Sequence, residues 1–344
     1  MAARARRSRS RQNAVTSASK DRHDQGGEST LTVIIAFAAN GAVALAKSVA
    51  ALLTGSASML AEAAHSWADT GNQVFLLIAQ RKSQRPPDEA RPLGYGREAY
   101  VWSMFAAMGL FVAGGAVSVW HGITELSHEG PVESPLVAYA VLGVAFVFEG
   151  ISFAQAFRQT RAESQRLDRD VLDHALRTSD PTLRAVLAED TAALVGLVIA
   201  ALGIALHQLT GSAVWDAAGS ILVGLLLVAI AVVLIDRNRR FLTGQASDER
   251  LRQGMLARIT ALPAVARVTY VRLEFVGPRQ LVLFARVDLE GDQPEATVAH
   301  ALRRIEEGLE EDHRVVEALI TLATPEEPAL SLRTEASADQ RRPE

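Results

Sequence analysis

Six apolar stretches, at about 32–53, 59–79, 101–123, 136–157, 183–206 and 217–235, decide what this chain can become. Each approaches the roughly 20 residues that a helix needs to cross a hydrocarbon core. Length alone would also allow buried helices of a large soluble protein, above all for the second and fifth stretches. Positive charge separates the two readings. Arg4, Arg6, Arg7, Arg9, Arg11, Lys20 and Arg22 precede the first stretch, and Arg81, Lys82, Arg85, Arg91 and Arg97 follow the second. Arg158, Arg161, Arg166, Arg169, Arg177 and Arg184 follow the fourth, and Arg237, Arg239 and Arg240 follow the sixth. The connections "GSAS", "TELSHEGPVESP" and "HQLTGSAVWD" contain no Lys or Arg. Such alternation is the positive-inside pattern of six spans with both termini in the cytosol.

The apolar residues, 49% of the chain, gather in its first two thirds, which implies a membrane part followed by a soluble part. Trp102 and Trp120 bracket the third span roughly 27 Å apart, as two aromatic belts would. The absence of cysteine excludes disulfides and thiolate metal ligands. Residues 1–30 read as a basic cytosolic tail touching anionic membrane lipid, with no role in nucleic-acid binding and no apolar core of a signal peptide. This arrangement fits a bacterial inner membrane.

Beyond the spans the periodicity changes. Leu251, Met255 and Ile259 mark a helix face, "VARVTYVRLEF" and "RQLVLFARVDLE" alternate like strands, Val298, Leu302, Ile305 and Leu309 mark a second helix, and "VVEALITL" reads as a last strand. The expected fold is a polytopic α-helical membrane protein with six transmembrane helices at 31–240, followed by an α+β ferredoxin-like (αββαβ) cytosolic domain at 241–323 and a disordered tail at 324–344.

Ionisable residues inside a span usually face a bundle interior or a water-filled cavity. The second span carries Glu62, His65 and Asp69 at helical spacing, so that the three share a face. The fifth carries Glu189 and Asp190, whose side chains leave the helix about 100° apart. One imidazole with two or three carboxylates suits a four-coordinate first-row divalent cation. The blander readings stay open: a solvated Glu62, a structural hydrogen bond between His65 and Asp69, and only one of Glu189 and Asp190 facing the site, with Asp190 preferred. Lys47 and Glu149 read as a snorkelling lysine and a solvated carboxylate rather than a pair. Asn40 and Asn72 serve as lining or as packing glue. Gly109, Gly114, Gly115, Gly219 and Gly224 permit close helix approach. Asp216 reads as an N-cap or an entrance acid, the cap being preferred.

These residues carry a resemblance. "LLTGSASMLAEAAHSWADTGNQ" is similar to the second helix of the cation diffusion facilitators, the zinc-transporter family; "RPLGYGREAYVWS" resembles the loop ahead of its third helix, and "WDAAGSILVGLLL" its sixth. In the fifth helix Asp190 matches the family's last ligand, whereas the position four earlier is Val186, which cannot ligate. There "LAEDTAALVG" resembles the divergent zinc-transporter-nine branch, with Glu189 as the replacement ligand. The resemblance implies a homodimeric, proton-coupled exporter that takes Zn2+ foremost and Mn2+, Fe2+ or Co2+ as alternatives. Its metal ligands would be His65, Asp69, Asp190 and Glu189, and no catalytic cofactor is needed. Metal and protons would compete for the same atoms while the bundle alternates its access. An intramembrane metallohydrolase would need a motif such as His-Glu-x-x-His, which is absent. A metal-regulated membrane interaction protein is the remaining rival. His300 and His313 read as surface residues.

Overall fold

The computed structural model describes residues 37–127, 134–166 and 170–332. The basic tail at 1–30, the centre of the "TELSHEGPVESP" connection and the segment 333–344 lie outside the described residues. Helix α1 is Phe37–Thr54, α2 Ala57–Ser83, α3 Glu98–Gly109, α4 Val117–Glu125, α5 Pro135–Arg166, α6 Val171–Arg177, α7 Pro181–Thr210 and α8 Val214–Leu242. Among the described residues, five spans are long and apolar enough to cross a membrane: α1, α3 with α4, α5, α7 and α8. Helix α2, expected as another span, has the length but not the apolarity. Its 27 residues reach about 40 Å, yet they include Glu62, His65, Asp69, Arg81 and Lys82. Between Ala57 and Gln73 only Trp67 and Gly71 are exposed, so this polar helix is hidden rather than presented outward.

The third apolar stretch is not one regular helix. A π-helical segment, Leu110–Ala116, joins α3 to α4 and contains Gly114 and Gly115. Ser118 donates its hydroxyl to the Gly114 carbonyl at 2.6 Å.

The chain divides into two compact units that cut across the long helices. The first holds the described residues up to Gln73 together with Val112–Glu149 and Ala193–Val228. Its core is built largely of small side chains, Ala50, Ala51, Ala138, Ala145 and Ala200, around Met59, Leu142, Leu197 and Ile204. Small residues let backbones approach closely, the usual route to helix packing in lipid. A Cβ on Gly115 would fall 3.2 Å from the Gly224 carbonyl, and one on Gly224 would fall 2.8 Å from the Gly115 carbonyl. Both glycines therefore serve close approach, as expected; Gly109 does not, since a Cβ there meets nothing within 4 Å.

The second unit holds Val74–Phe111, Gly150–Ala192 and everything from Ala229. Tyr100 stacks on Phe241 with centroids 5.0 Å apart, and Phe275 meets Phe241 edge-on at 5.5 Å. Beyond α8 come α9 (Glu249–Thr260), β1 (Val265–Gly277), β2 (Gln280–Leu289), α10 (Glu295–Glu310) and β3 (Val315–Leu322). The αββαβ order is the expected one. β1 and β2 form an antiparallel hairpin, β3 runs parallel to β2, and the sheet order is β1-β2-β3. Leu256, Ile259, Leu273, Leu283, Val287, Ile305 and Leu309 fill the core beneath it. Asp248 caps α9 by accepting from the Leu251 amide at 2.8 Å.

The stretch expected to be disordered from 324 onward is held against β1 over its first part. The Leu330 amide donates to the Val268 carbonyl at 2.8 Å, Thr269 donates to Glu327 Oε2 at 2.8 Å, and Arg267 donates to the Glu327 carbonyl at 3.0 Å. Its polar composition concealed these pairings, which use the backbone and a threonine of β1.

Asp216 departs from expectation in an informative way. It sits in the first turn of α8 but caps α2: its carboxylate accepts from the Ala57 amide at 2.6 Å, the Ser58 amide at 3.3 Å and the Ser56 hydroxyl at 2.9 Å. Ser56 in turn accepts from the Met59 amide at 3.1 Å. Four orphan amides open every helix, and here an acid 160 residues away satisfies two of them. Asp216→Ala should destabilise the purified protein by about 1–3 kcal/mol, and Asp216→Asn by less because one acceptor oxygen remains. Thermal unfolding in detergent checks the order; equal melting temperatures for wild type and Asp216→Ala would contradict it.

Candidate metal-binding site on the polar helix

The helical spacing of Glu62, His65 and Asp69 is realised in α2, where the three line one face. His65 Nε2 lies 3.1 Å from Asp69 Oδ2. His65 is fully buried, while the Asp69 side chain keeps 16% of its exposure. His65 Nδ1 and Asp69 Oδ1 are both buried and have no hydrogen-bond partner among the described residues. Unpaired buried lone pairs are costly, and a nitrogen beside a carboxylate oxygen is a donor set that a borderline divalent cation would satisfy.

The two charges read separately in the sequence meet otherwise than expected. Lys47 of α1 does not snorkel, and Glu62 is not solvated: Nζ lies 2.9 Å from Glu62 Oε2, and both side chains are fully buried. An ammonium deep in a span cannot reach the interface as cheaply as it can reach a carboxylate on the neighbouring helix. Glu149 of α5 is half-buried and lies within electrostatic range of Lys47, Asp69, His65 and Glu62. Gly196 of α7 makes room for this group, because a Cβ there would fall 2.5 Å from Glu62 Oε1.

On α7, Glu189 is buried and Asp190 accepts a hydrogen bond from the Ser152 hydroxyl of α5 at 2.7 Å. Ser152, Gln155 and Gln159 line a cavity of about 300 Å³ together with Asp180, Thr182 and Val186. These three α5 residues were not singled out from the sequence. Their signal was there: positions 152, 155 and 159 fall at i, i+3 and i+7, a polar stripe down one face of the helix. Among the described residues, no group of three or more His, Asp or Glu side chains is close enough to hold a metal ion. His65 and Asp69 are brought together on α2. His300 and His313 are exposed, as expected.

Residues 33–242 match the description "Cation efflux transmembrane domain". The chain therefore belongs to the cation efflux family, whose members are transporters and not enzymes. It is 36% identical over 259 residues to the mitochondrial proton-coupled zinc antiporter SLC30A9 of Xenopus laevis, covering 75% of this chain and 46% of that protein. It is 34% identical over 233 residues to metal tolerance protein C4 of Arabidopsis thaliana, covering 68% of this chain and 51% of that protein. With the magnetosome protein MamM of Paramagnetospirillum magneticum it shares 25% identity over 250 residues, 71% of this chain and 72% of the other. The chain spans about half the length of the first two relatives.

The fit of Glu62 beneath Gly196 gives a direct test. Glu62 Oε1 is the end of a flexible side chain, but Lys47 pins the carboxylate, so Gly196→Ala should force a shift and cost about 1–3 kcal/mol. In a Glu62→Ala background the same substitution should cost nothing further. Melting temperatures of the four proteins check this, and an equal loss in both backgrounds would exclude the contact as the cause.

Proposed function

We propose that the chain is a divalent-cation efflux transporter that exchanges Zn2+ for protons by alternating access. The buried His65–Asp69 pair, inside the family's transmembrane domain, carries the reading. A cation must displace protons from imidazole and carboxylate to coordinate them, so protons and metal compete for the same atoms and their fluxes are coupled. The name of one relative, proton-coupled zinc antiporter, favours the same cargo, and that of another, metal tolerance protein, favours a metal ion. Asp190 and Glu189 complete the proposed ligand set. The bond from the Ser152 hydroxyl fixes one oxygen of the Asp190 carboxylate and so orients it. The polar stripe of Ser152, Gln155 and Gln159 would offer hydrated ions a lined approach.

In this proposal α2 is the sixth spanning helix, and residues 31–240 form the membrane domain. The αββαβ part at 241–323 is a ferredoxin-like cytosolic domain that pairs two protomers. The arginine-rich connections favour a cytosolic position for it and for the N-terminus, with the spans in a bacterial inner membrane and the basic tail on anionic lipid.

Metal uptake into proteoliposomes, with and without an imposed pH gradient and with Zn2+, Mn2+ and Fe2+ compared, tests this. Gradient-dependent Zn2+ uptake should fall to background in His65→Ala, Asp69→Ala and Asp190→Ala, each still monodisperse. Glu189→Gln should weaken apparent metal affinity. Full flux in His65→Ala and Asp69→Ala would remove the site; inertness of the wild type towards every ion would bring the metal-regulated interaction protein forward.

A further inference from the structure

Glu62 and His65 stand in the Glu-x-x-His spacing by which helices of carboxylate-bridged di-metal proteins present two ligands to one ion. The position is buried, and Glu62 Oε1 has no hydrogen-bond partner among the described residues. Gly196, lacking a Cβ, leaves the carboxylate its space. By spacing and burial, then, Glu62 is equipped to be a ligand beside His65. It is withheld by Lys47, whose ammonium holds Oε2 at 2.9 Å with both side chains sealed from solvent.

We propose that Lys47 is a specificity-determining residue: its fixed positive charge occupies Glu62 and keeps a further carboxylate out of the cation's coordination shell. This rests on the proposed transport site at His65 and Asp69. Carboxylate oxygens suit harder ions such as Mn2+, whereas an imidazole-weighted set suits Zn2+. With Glu62 engaged, His65 supplies a larger share of the donors. Glu149 lies within electrostatic range of the same group, so the Lys47 ammonium faces a second carboxyl group beside Glu62. A leucine or methionine at position 47 would fill the space without holding Glu62 and would leave that carboxylate to the metal.

The test is titration of the purified full-length protein with Zn2+ or Mn2+ alone, by calorimetry in detergent, for wild type, Lys47→Met, Lys47→Arg, Glu62→Gln and Lys47→Met/Glu62→Gln. Lys47→Met should raise the Mn2+ affinity relative to Zn2+ at least about tenfold. The double variant, with no carboxylate to release, should return to the wild-type ratio, and Lys47→Arg should keep it. An unmoved ratio in Lys47→Met, or an equal shift in the double variant, overturns the proposal. Should Lys47→Met fail to fold, Glu62→Gln decides: a bare ammonium facing the site should weaken both metals about tenfold or more, and unchanged affinities overturn the proposal. Binding that survives Asp69→Ala overturns the site and this inference together. Binding lost in Asp69→Ala, with a ratio insensitive to Lys47, overturns this inference alone.

Discussion

A helix that buries Glu62 and His65 and half-buries Asp69 has to be enclosed, and the packing of the first unit follows from enclosing it. Each buried uncompensated charge costs several kcal/mol, so α2 is surrounded by protein along its polar length. The neighbours accommodate it by being small: alanines at 50, 51, 138, 145 and 200, and Gly196 over the Glu62 carboxylate. Elsewhere in the unit Gly115 and Gly224 bring α8 against the π-helical segment. Even the start of the helix is provided for from outside, since Asp216 of α8 takes up the Ala57 and Ser58 amides. In water those amides could be solvated; sealed within the bundle, they need a partner from the protein.

The Lys47–Glu62 pair is a poor device for stability alone. Bringing two charges out of water costs about as much as their attraction returns, and well-packed apolar residues often replace such pairs without loss. Breaking a pair by removing one partner is far more damaging, because the survivor is left buried and uncompensated. A buried pair therefore persists most readily where one partner's charge has a task that an apolar substitute could not perform. Its place one turn from His65, on the same face of α2, suggests that task.

The helices and the αββαβ part were legible because each is written in periodicity: apolar runs of span length, alternation for strands, i, i+3, i+4 faces for α9 and α10. What could not be read was anything decided by a partner distant in sequence. Lys47 and Glu149 look alike as isolated charges in apolar stretches, yet only Lys47 is sealed against a carboxylate on the next helix. Asp216 has the position of a cap for its own helix and caps another. Residues 324–330 have the composition of a disordered tail and are tied to β1 by Arg267, Thr269 and a backbone bond. The π-helical segment is invisible to a pattern built on 3.6 residues per turn. In the site, His65 and Asp69 were legible together because four residues along one helix dictate their meeting; Ser152 on Asp190 was not, since it depends on how α5 lies beside α7.

On the proposed function, burial itself explains why proton coupling belongs in this site. With Lys47 pairing Glu62, the face of α2 is left with the His65 imidazole, fully buried, and the Asp69 carboxylate, which keeps 16% of its exposure. In the loaded state the cation supplies the compensating charge. In the unloaded state, on the proposed exchange, protons take its place at the same atoms. A site exposed to water could return empty, its charges screened, and the metal would then move without coupling. The burial of His65 removes that screening from one side of the pair. The constraint that forces α2 to be enclosed is thus also the one that would make each departing metal ion exchange for protons.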